Sequence, residues 1–135
     1  MKYPAKIRTI LLCDFDKGGF RPPEMVKRRP AIVLMGALPG RNNLMTVVPL
    51  SGTESPEDRK YHKRIELDEP LPEPFDETIW WAKADMCATV SLDRLDLFQT
   101  ARDQYGRRKY RTDLRLDEEQ FEAIKNAVRH AYGLH

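Results

Sequence analysis

Three consecutive cations, Lys27, Arg28 and Arg29, stand immediately before Pro30 and the apolar run Ala31 to Leu34. Pro30 fixes the local turn, and a buried strand behind it would hold the backbone still. An arginine placed there has a defined direction, and a fixed guanidinium can donate two parallel hydrogen bonds to a phosphate. The same triplet also suits ordinary solvated surface. A second group lies in Thr46-Val-Val-Pro-Leu-Ser-Gly-Thr53, where an apolar strand ends in the hydroxyls of Ser51 and Thr53. Such hydroxyls can hold a phosphate oxygen, or they can merely cap a turn. The histidines His62, His130 and His135 are scattered. His62 is the one near these segments by strand order, either as a proton-transfer group or as a half-exposed strand residue. Asp14, Asp16 and Glu24 lie near the same loop, but their spacing matches no metal motif and the adjacent cations oppose metal binding. No Cys/His spacing suits a metal either. The expectation is chemistry without a metal or any other cofactor.

The charge distribution suits ordinary solvated surface, and it is also compatible with a polyanionic partner. The net charge is only +2. Residues 1–50 carry nine Lys/Arg and three Asp/Glu, residues 51–80 carry four and nine, and residues 100–115 carry six and two. Two basic segments could fold into one basic face. A length of 135 residues, 33% charged and 41% hydrophobic, predicts one domain over 1–135 and argues against disorder. No apolar run approaches a membrane span, and Ile10 to Cys13 is too short for the core of a signal peptide. Cys13 and Cys87 sit far apart in apolar runs and read as reduced, buried thiols. Together these predict a cytoplasmic protein with no membrane partner.

The elements that must position these residues are mostly strands. Ile7 to Phe15 reads as an alternating first strand. Lys17 to Lys27, with Gly18, Gly19, Pro22 and Pro23, reads as a long loop. Pro30 to Met35 is a buried strand with Pro30 at its first position, and Leu44 to Leu50 is a third strand. Ser51 to Lys60 is a polar loop, Tyr61 to Leu67 a half-exposed fourth strand, and Ile79 to Val90 a fifth strand region. Ser91 to Phe98 suggests a turn or helix capped by Ser91, and Tyr105-Gly106 a tight turn. The helix is the clearest element, spanning about 117–132. Asp117 and Gln120 form a capping-box-like start. Phe121, Ile124, Val128 and Ala131 share one face, and Gly133 closes the helix. The fold class is mainly β with a C-terminal helix, a small bent antiparallel barrel.

Three segments together resemble the PemK/MazF family of toxins. They are Asp14-Phe15-Asp16 followed by a Gly-containing loop, Arg29-Pro30-Ala31-Ile32-Val33-Leu34, and Val47-Val48-Pro49-Leu50-Ser51. Lys83 to Leu95 resembles that family's later strand with its Arg-Leu closure, and the final helix matches as well. The resemblance implies an SH3-like barrel of the MazF/CcdB toxin type, a homodimer, and metal-independent cleavage of single-stranded RNA. It also implies silencing by a cognate acidic antitoxin in a type II toxin–antitoxin pair. It places the catalytic arginine at Arg29 and the catalytic hydroxyl at Ser51, where the family has threonine. Lys17, Lys27, Arg28, Thr53 and Asp85 are the implied RNA contacts. Two departures stand out: Ser51 lacks the threonine methyl, and Met86 follows Asp85 where many members have glutamine. These keep open an alternative, a non-catalytic barrel that binds protein or RNA. The segment at about 100–115 is an extra hairpin outside the family core.

Overall fold

The computed structural model describes residues 1–56 and 59–134. Glu57 and Asp58 of the predicted polar loop, and His135, lie outside the described residues. Seven strands form one antiparallel sheet: β1 Ile10–Asp14, β2 Arg28–Met35, β3 Leu44–Ser51, β4 His62–Glu66, β5 Ile79–Lys83, β6 Ala88–Ser91 and β7 Leu95–Asp96. The strand path is β4-β5-β3-β2-β1-β7, and β6 pairs with β3. One edge of β3 serves two partners in turn. Its first half pairs with β6 (Leu44↔Ser91 to Val47↔Ala88) and its end pairs with β5 (Leu50↔Ala82, Ser51↔Trp81). The helix α1, Glu118–Tyr132, follows the sheet.

Side chains alternate across a strand, so the sheet has two faces. Ile10, Leu12, Ile32, Val48, Leu50, Ile65, Trp80 and Ala82 form one core with Phe121 and Ile124 of α1. Leu11, Cys13, Phe15, Ala31, Val33, Met45 and Val47 form a second core on the other face. β1 is therefore buried on both faces. It begins at Ile10 rather than Ile7, and Ile7 is exposed. The predicted alternation fails there because both faces of this central strand are covered.

Other boundaries shift for local reasons. β2 begins at Arg28, so Pro30 is its third residue, not its first, and lies opposite Leu12. The predicted fifth strand is two strands. Ala84–Met86 form a short 3-10 turn between β5 and β6, which lets the chain leave one half of β3's edge and rejoin the other. Cys87 sits just after that turn, only partly buried, and both thiols are free. Leu92–Arg94 form a 3-10 turn after Ser91, without a side-chain cap, and β7 then pairs with β1. The predicted hairpin holds a single bridge, Gln99↔Tyr110, with its turn at Gly106 in the left-handed region. Residues 114–116 return to the body of the fold, where Ile10 N–H donates to Leu114 O and Leu116 N–H to Arg8 O. The helix is as read: Asp117 accepts from Gln120 N–H at 2.8 Å, and Gly133 closes it at a φ of 69°.

Candidate active site on the sheet face away from the helix

The register gathers the candidate residues before any distance is considered. On β3, Ser51 follows Val47 and Pro49 on the face of the second core. On β2, Arg29 shares that face with Ala31 and Val33, and it lies opposite Cys13. Extending the Ala31↔Pro49 pairing by two residues sets Arg29 across from Ser51. On β5, Trp81 pairs with Ser51, and Lys83 follows on the same face. On β4, His62 pairs with Lys83, and Arg64 with Trp81. The face that is apolar under Val33 and Val47 thus becomes polar and cationic at the β3–β5–β4 end. The helix packs on the other face and leaves this one uncovered by α1.

Arg29 is half-buried, and its Nε donates to Val26 O at 2.8 Å. That bond uses one of five guanidinium N–H groups. No hydrogen bond among the described residues uses the terminal nitrogens, which form the fork that grips a phosphate. Burial lowers the Arg29 pKa, and the nearby Asp16 carboxylate opposes the shift. Asp16 also accepts from Lys27 N–H at 2.7 Å, while Lys27 O accepts from Phe15 N–H at 3.1 Å. These bonds hold Lys27 at a φ of 73°, a strained conformation for a residue with a side chain. The Asp-Phe-Asp segment therefore has a mechanical role. Asp14 Oδ1 accepts from Lys17 N–H at 2.9 Å, Phe15 is fully buried, and Asp16 clamps the chain two residues before Arg29.

Ser51 is buried, and its Oγ accepts from Thr53 N–H at 3.1 Å. With that bond accepted, the hydroxyl proton is the part left to donate outward. Lys83 is half-buried and its Nζ donates to Ser55 Oγ, a hydroxyl that is itself only 3% exposed. Burial lowers the Lys83 pKa; Asp85 opposes this, and the charges of Arg59 and Arg29 add to it. His62 Nε2 lies 2.8 Å from Asp85 Oδ1. A carboxylate only accepts, so Nε2 carries the proton. Its Nδ1 is buried without a hydrogen-bond partner among the described residues. Burial lowers the His62 pKa, against the hydrogen bond it donates to Asp85 and with the charge of Lys83.

Of the residues expected from the sequence, Arg29, Ser51, Thr53 and Asp85 fall in this one region. Arg28 does not. It alternates to the other face of β2 and lies 3.8 Å from Asp96 of β7. Lys17 also points elsewhere, with its Nζ donating to Asp93 O at 3.0 Å. Lys27 is exposed on the connecting turn. Sequence reasoning missed Lys83, Ser55, Trp81 and the clamp of Asp16. The Lys83–Ser55 pair spans 28 residues and has no local signal. Lys83 lies within the motif-bearing segment Lys83 to Leu95, but nothing in the expected strand Ile79 to Val90 sets it apart. The described residues hold no group of three His, Cys, Asp or Glu that could bind a metal ion.

Residues 6–132 match the family described as PemK-like, MazF-like toxin of type II toxin-antitoxin system. The Escherichia coli K12 protein YifN, itself uncharacterized, is 34% identical over 119 residues, covering 76% of this chain and 78% of that protein. An uncharacterized Haemophilus influenzae protein is 33% identical over 104 residues, covering 70% and 71%. Among solved structures, the chain is similar to the Mycobacterium tuberculosis toxin MazF-mt6, with TM-score 0.59 and 18% identity over 95% of this chain and 99% of that one. It is similar to a chain of the MazE-MazF structure from Deinococcus radiodurans, with TM-score 0.60 and 14% identity over 99% and 100%. A mycobacterial endoribonuclease in complex with its cognate antitoxin gives TM-score 0.59 and 18% identity over 97% and 98%. At these identities the structural likeness shows the fold, an antiparallel sheet with a C-terminal helix.

Proposed function

The chain belongs to the PemK/MazF family of type II toxin–antitoxin toxins, and from that premise we propose that it is a metal-independent endoribonuclease acting on single-stranded RNA. The observation that carries the reading is the shared face of Arg29, Ser51 and Lys83, set by the registers of β2, β3 and β5. RNA brings its own nucleophile, the 2′-hydroxyl, so a site must align the strand and stabilise charge. The Arg29 fork holds the non-bridging oxygens as negative charge grows on phosphorus. The Ser51 hydroxyl donates to one of the same oxygens. The 2′-oxygen bonds to phosphorus as the bond to the 5′-oxygen breaks, leaving a 2′,3′-cyclic phosphate and a 5′-oxygen that takes a proton from solvent water to become a free 5′-hydroxyl.

The proton of the 2′-hydroxyl needs an acceptor. Arginine is a poor one, because its pKa lies far above neutrality. Lys83 is better suited: burial and the adjacent cations Arg29 and Arg59 increase its neutral fraction. Ser55 holds its Nζ in place. His62 pairs with Lys83 across β4 and β5, and its Nε2 donates to Asp85. The cations crowding this face oppose a divalent metal, consistent with a reaction run by side chains alone.

In the same reading the protein is a homodimer, and a cognate acidic antitoxin neutralises it by covering the basic loop from Lys17 to Arg29. The test is a purified-protein assay on long single-stranded RNA with EDTA present and product ends analysed. Cleavage to 2′,3′-cyclic phosphate should persist in EDTA. Arg29→Ala should abolish it, and Arg29→Lys should lose most of it, since lysine lacks the planar fork. Ser51→Ala should slow it roughly ten- to a thousandfold, and Ser51→Thr should keep it. Metal-dependent cleavage, or an Arg29→Ala protein as active as the unmodified one, would overturn the mechanism. No cleavage of diverse RNAs would favour the non-catalytic binding module.

A further inference from the structure

The excursion from Gln99 to Tyr110 does not contribute to either core, yet it is held in a defined shape. Thr100 N–H donates to Lys109 O at 2.8 Å, Lys109 N–H donates to Thr100 Oγ at 3.1 Å, and Asp103 N–H donates to Arg107 O at 2.8 Å. Every residue from 101 to 110 is exposed. The ten carry Arg102, Arg107, Arg108 and Lys109 against one acid, Asp103. That acid accepts from Tyr105 N–H at 2.8 Å and Arg107 N–H at 2.9 Å and lies 3.6 Å from the Arg107 guanidinium, so it offsets only one of the four cations. The outward field is therefore positive. Two aromatic rings stand in solvent among these cations: Tyr105 is 70% exposed and Tyr110 57%. The Arg107 guanidinium lies 4.9 Å from the centre of the Tyr105 ring.

At the Tyr110 end of the excursion, which lines it, lies a cleft of about 1180 Å³. Its lining includes Lys2, Lys6, Lys17, Arg28, Arg94 and Arg115 against the acids Asp14, Asp93 and Asp96, so cations outnumber carboxylates two to one although Arg28 lies 3.8 Å from Asp96. Arg28, which lines this cleft, is the neighbour of Arg29 on the opposite face of β2. A basic groove combined with exposed aromatic faces is the arrangement that binds single strands, where phosphates follow the cations and bases stack on the rings.

We propose that the excursion 99–110 and the cleft at its Tyr110 end form a second RNA-binding surface, one that takes the single strand flanking the phosphate held at Arg29. The proposal rests on the ribonuclease reading for its ligand, but it can be tested without cleavage. Binding is measured by fluorescence anisotropy on full-length protein, with labelled 2′-O-methyl oligonucleotides of about 6 and about 20 nucleotides, a length set by single-strand site sizes. Such oligonucleotides lack the nucleophile and stay intact.

The unmodified protein should bind the longer strand at least about tenfold more tightly, as expected for added phosphate contacts and stacking. Tyr110→Ala should weaken binding of the long strand roughly five- to a hundredfold while leaving the short strand unchanged, and Tyr110→Phe should restore it. Arg108→Glu with Lys109→Glu should flatten the slope of log affinity against log salt by about 1.4, the loss of two single-strand phosphate contacts. All these side chains are exposed, so an unchanged thermal melt confirms that the variants fold. Variants that keep the full length gain would overturn the proposal, as would no length gain in the unmodified protein. Binding of an acidic peptide but of neither RNA would also overturn it. If the length gain depends on Tyr110 but the unmodified protein cleaves no RNA, the ribonuclease reading fails and the surface stands.

Discussion

At the scale of single residues, the candidate site is a set of cations with different proton-transfer capacities. Arg29 is suited to stabilise charge, and Lys83 to move a proton. Lys83→Arg keeps the charge but raises the pKa out of range, so it should lower the cleavage rate about 10²- to 10⁴-fold. The pH profile separates this from a structural role. If neutral Lys83 is the base, the rate rises with pH until Lys83 has lost its proton. Burial, Arg59 and Arg29 place that limit below the ordinary lysine value of 10.5. The variant should lose that rising limb; an unchanged profile would remove Lys83 from proton transfer.

His62 provides a second residue-scale prediction, on stability. Its folded pKa is lowered from 6.5, chiefly by burial. As pH falls below 6.5 the unfolded chain takes up a proton that the folded protein still refuses, so stability declines through that window and levels off below the folded value. The groups facing it, Asp85, Lys83 and Arg59, set the balance. Asp113 and Asp117, whose pKa values are lowered by Arg111 and Gln120 respectively, act only at more acid pH. Denaturant melts from pH 7.5 to 5 should show the decline, and His62→Gln should remove it.

At the scale of elements, the exposed edge strand β4 depends on the helix. Gln120, at the third helical position, has its side-chain amide paired with the backbone of Glu66. Its Nε2 donates to Glu66 O at 2.8 Å, and Glu66 N–H donates to its Oε1 at 2.7 Å. The side chain thus acts as one more strand residue at an edge that would otherwise present unpaired groups. The same Nε2 reaches the capping carboxylate of Asp117 at 2.5 Å, so one residue joins the cap to the sheet. Gln120→Ala should cost about 1–3 kcal/mol. Hydrogen exchange should show lost protection at the Glu66 amide; retained protection would mean that water replaces the side chain without loss.

At the scale of the molecule, the surface is left incomplete. Ile7, Met35 and Leu38 are 44%, 39% and 49% exposed, and β4 ends the sheet. A fold of this size, with apolar side chains of this kind in water, is expected to form a two-fold dimer. Sedimentation at micromolar concentration should give twice the 15.7 kDa chain mass, and a monomer alone would count against it. The basic loop from Lys17 to Arg29 belongs to the same scale. Binding of an acidic antitoxin segment there should weaken steeply with added salt.

The sequence alone determined the features whose causes are local. Asp117, Gln120 and Gly133 announce the ends of α1, and the structure has the same cap and the same left-handed closure. The apolar runs behind Arg29 and before Ser51 announce β2 and β3, and the order of motifs identified the family. Only the tertiary structure decided the rest. Whether Ile10 and Leu12 are buried depends on α1, more than a hundred residues later. The break at Ala84–Met86 follows from β3 sharing one edge between two strands. Arg28 and Arg29 are indistinguishable as residues, yet one faces Ser51 and the other Asp96. Side chains alternate with a period of two, and which parity meets which face is set by long-range register. The same register, not any spacing in the chain, places Lys83 near the arginine that the sequence singled out, and the loop after β3 brings Ser55 to it.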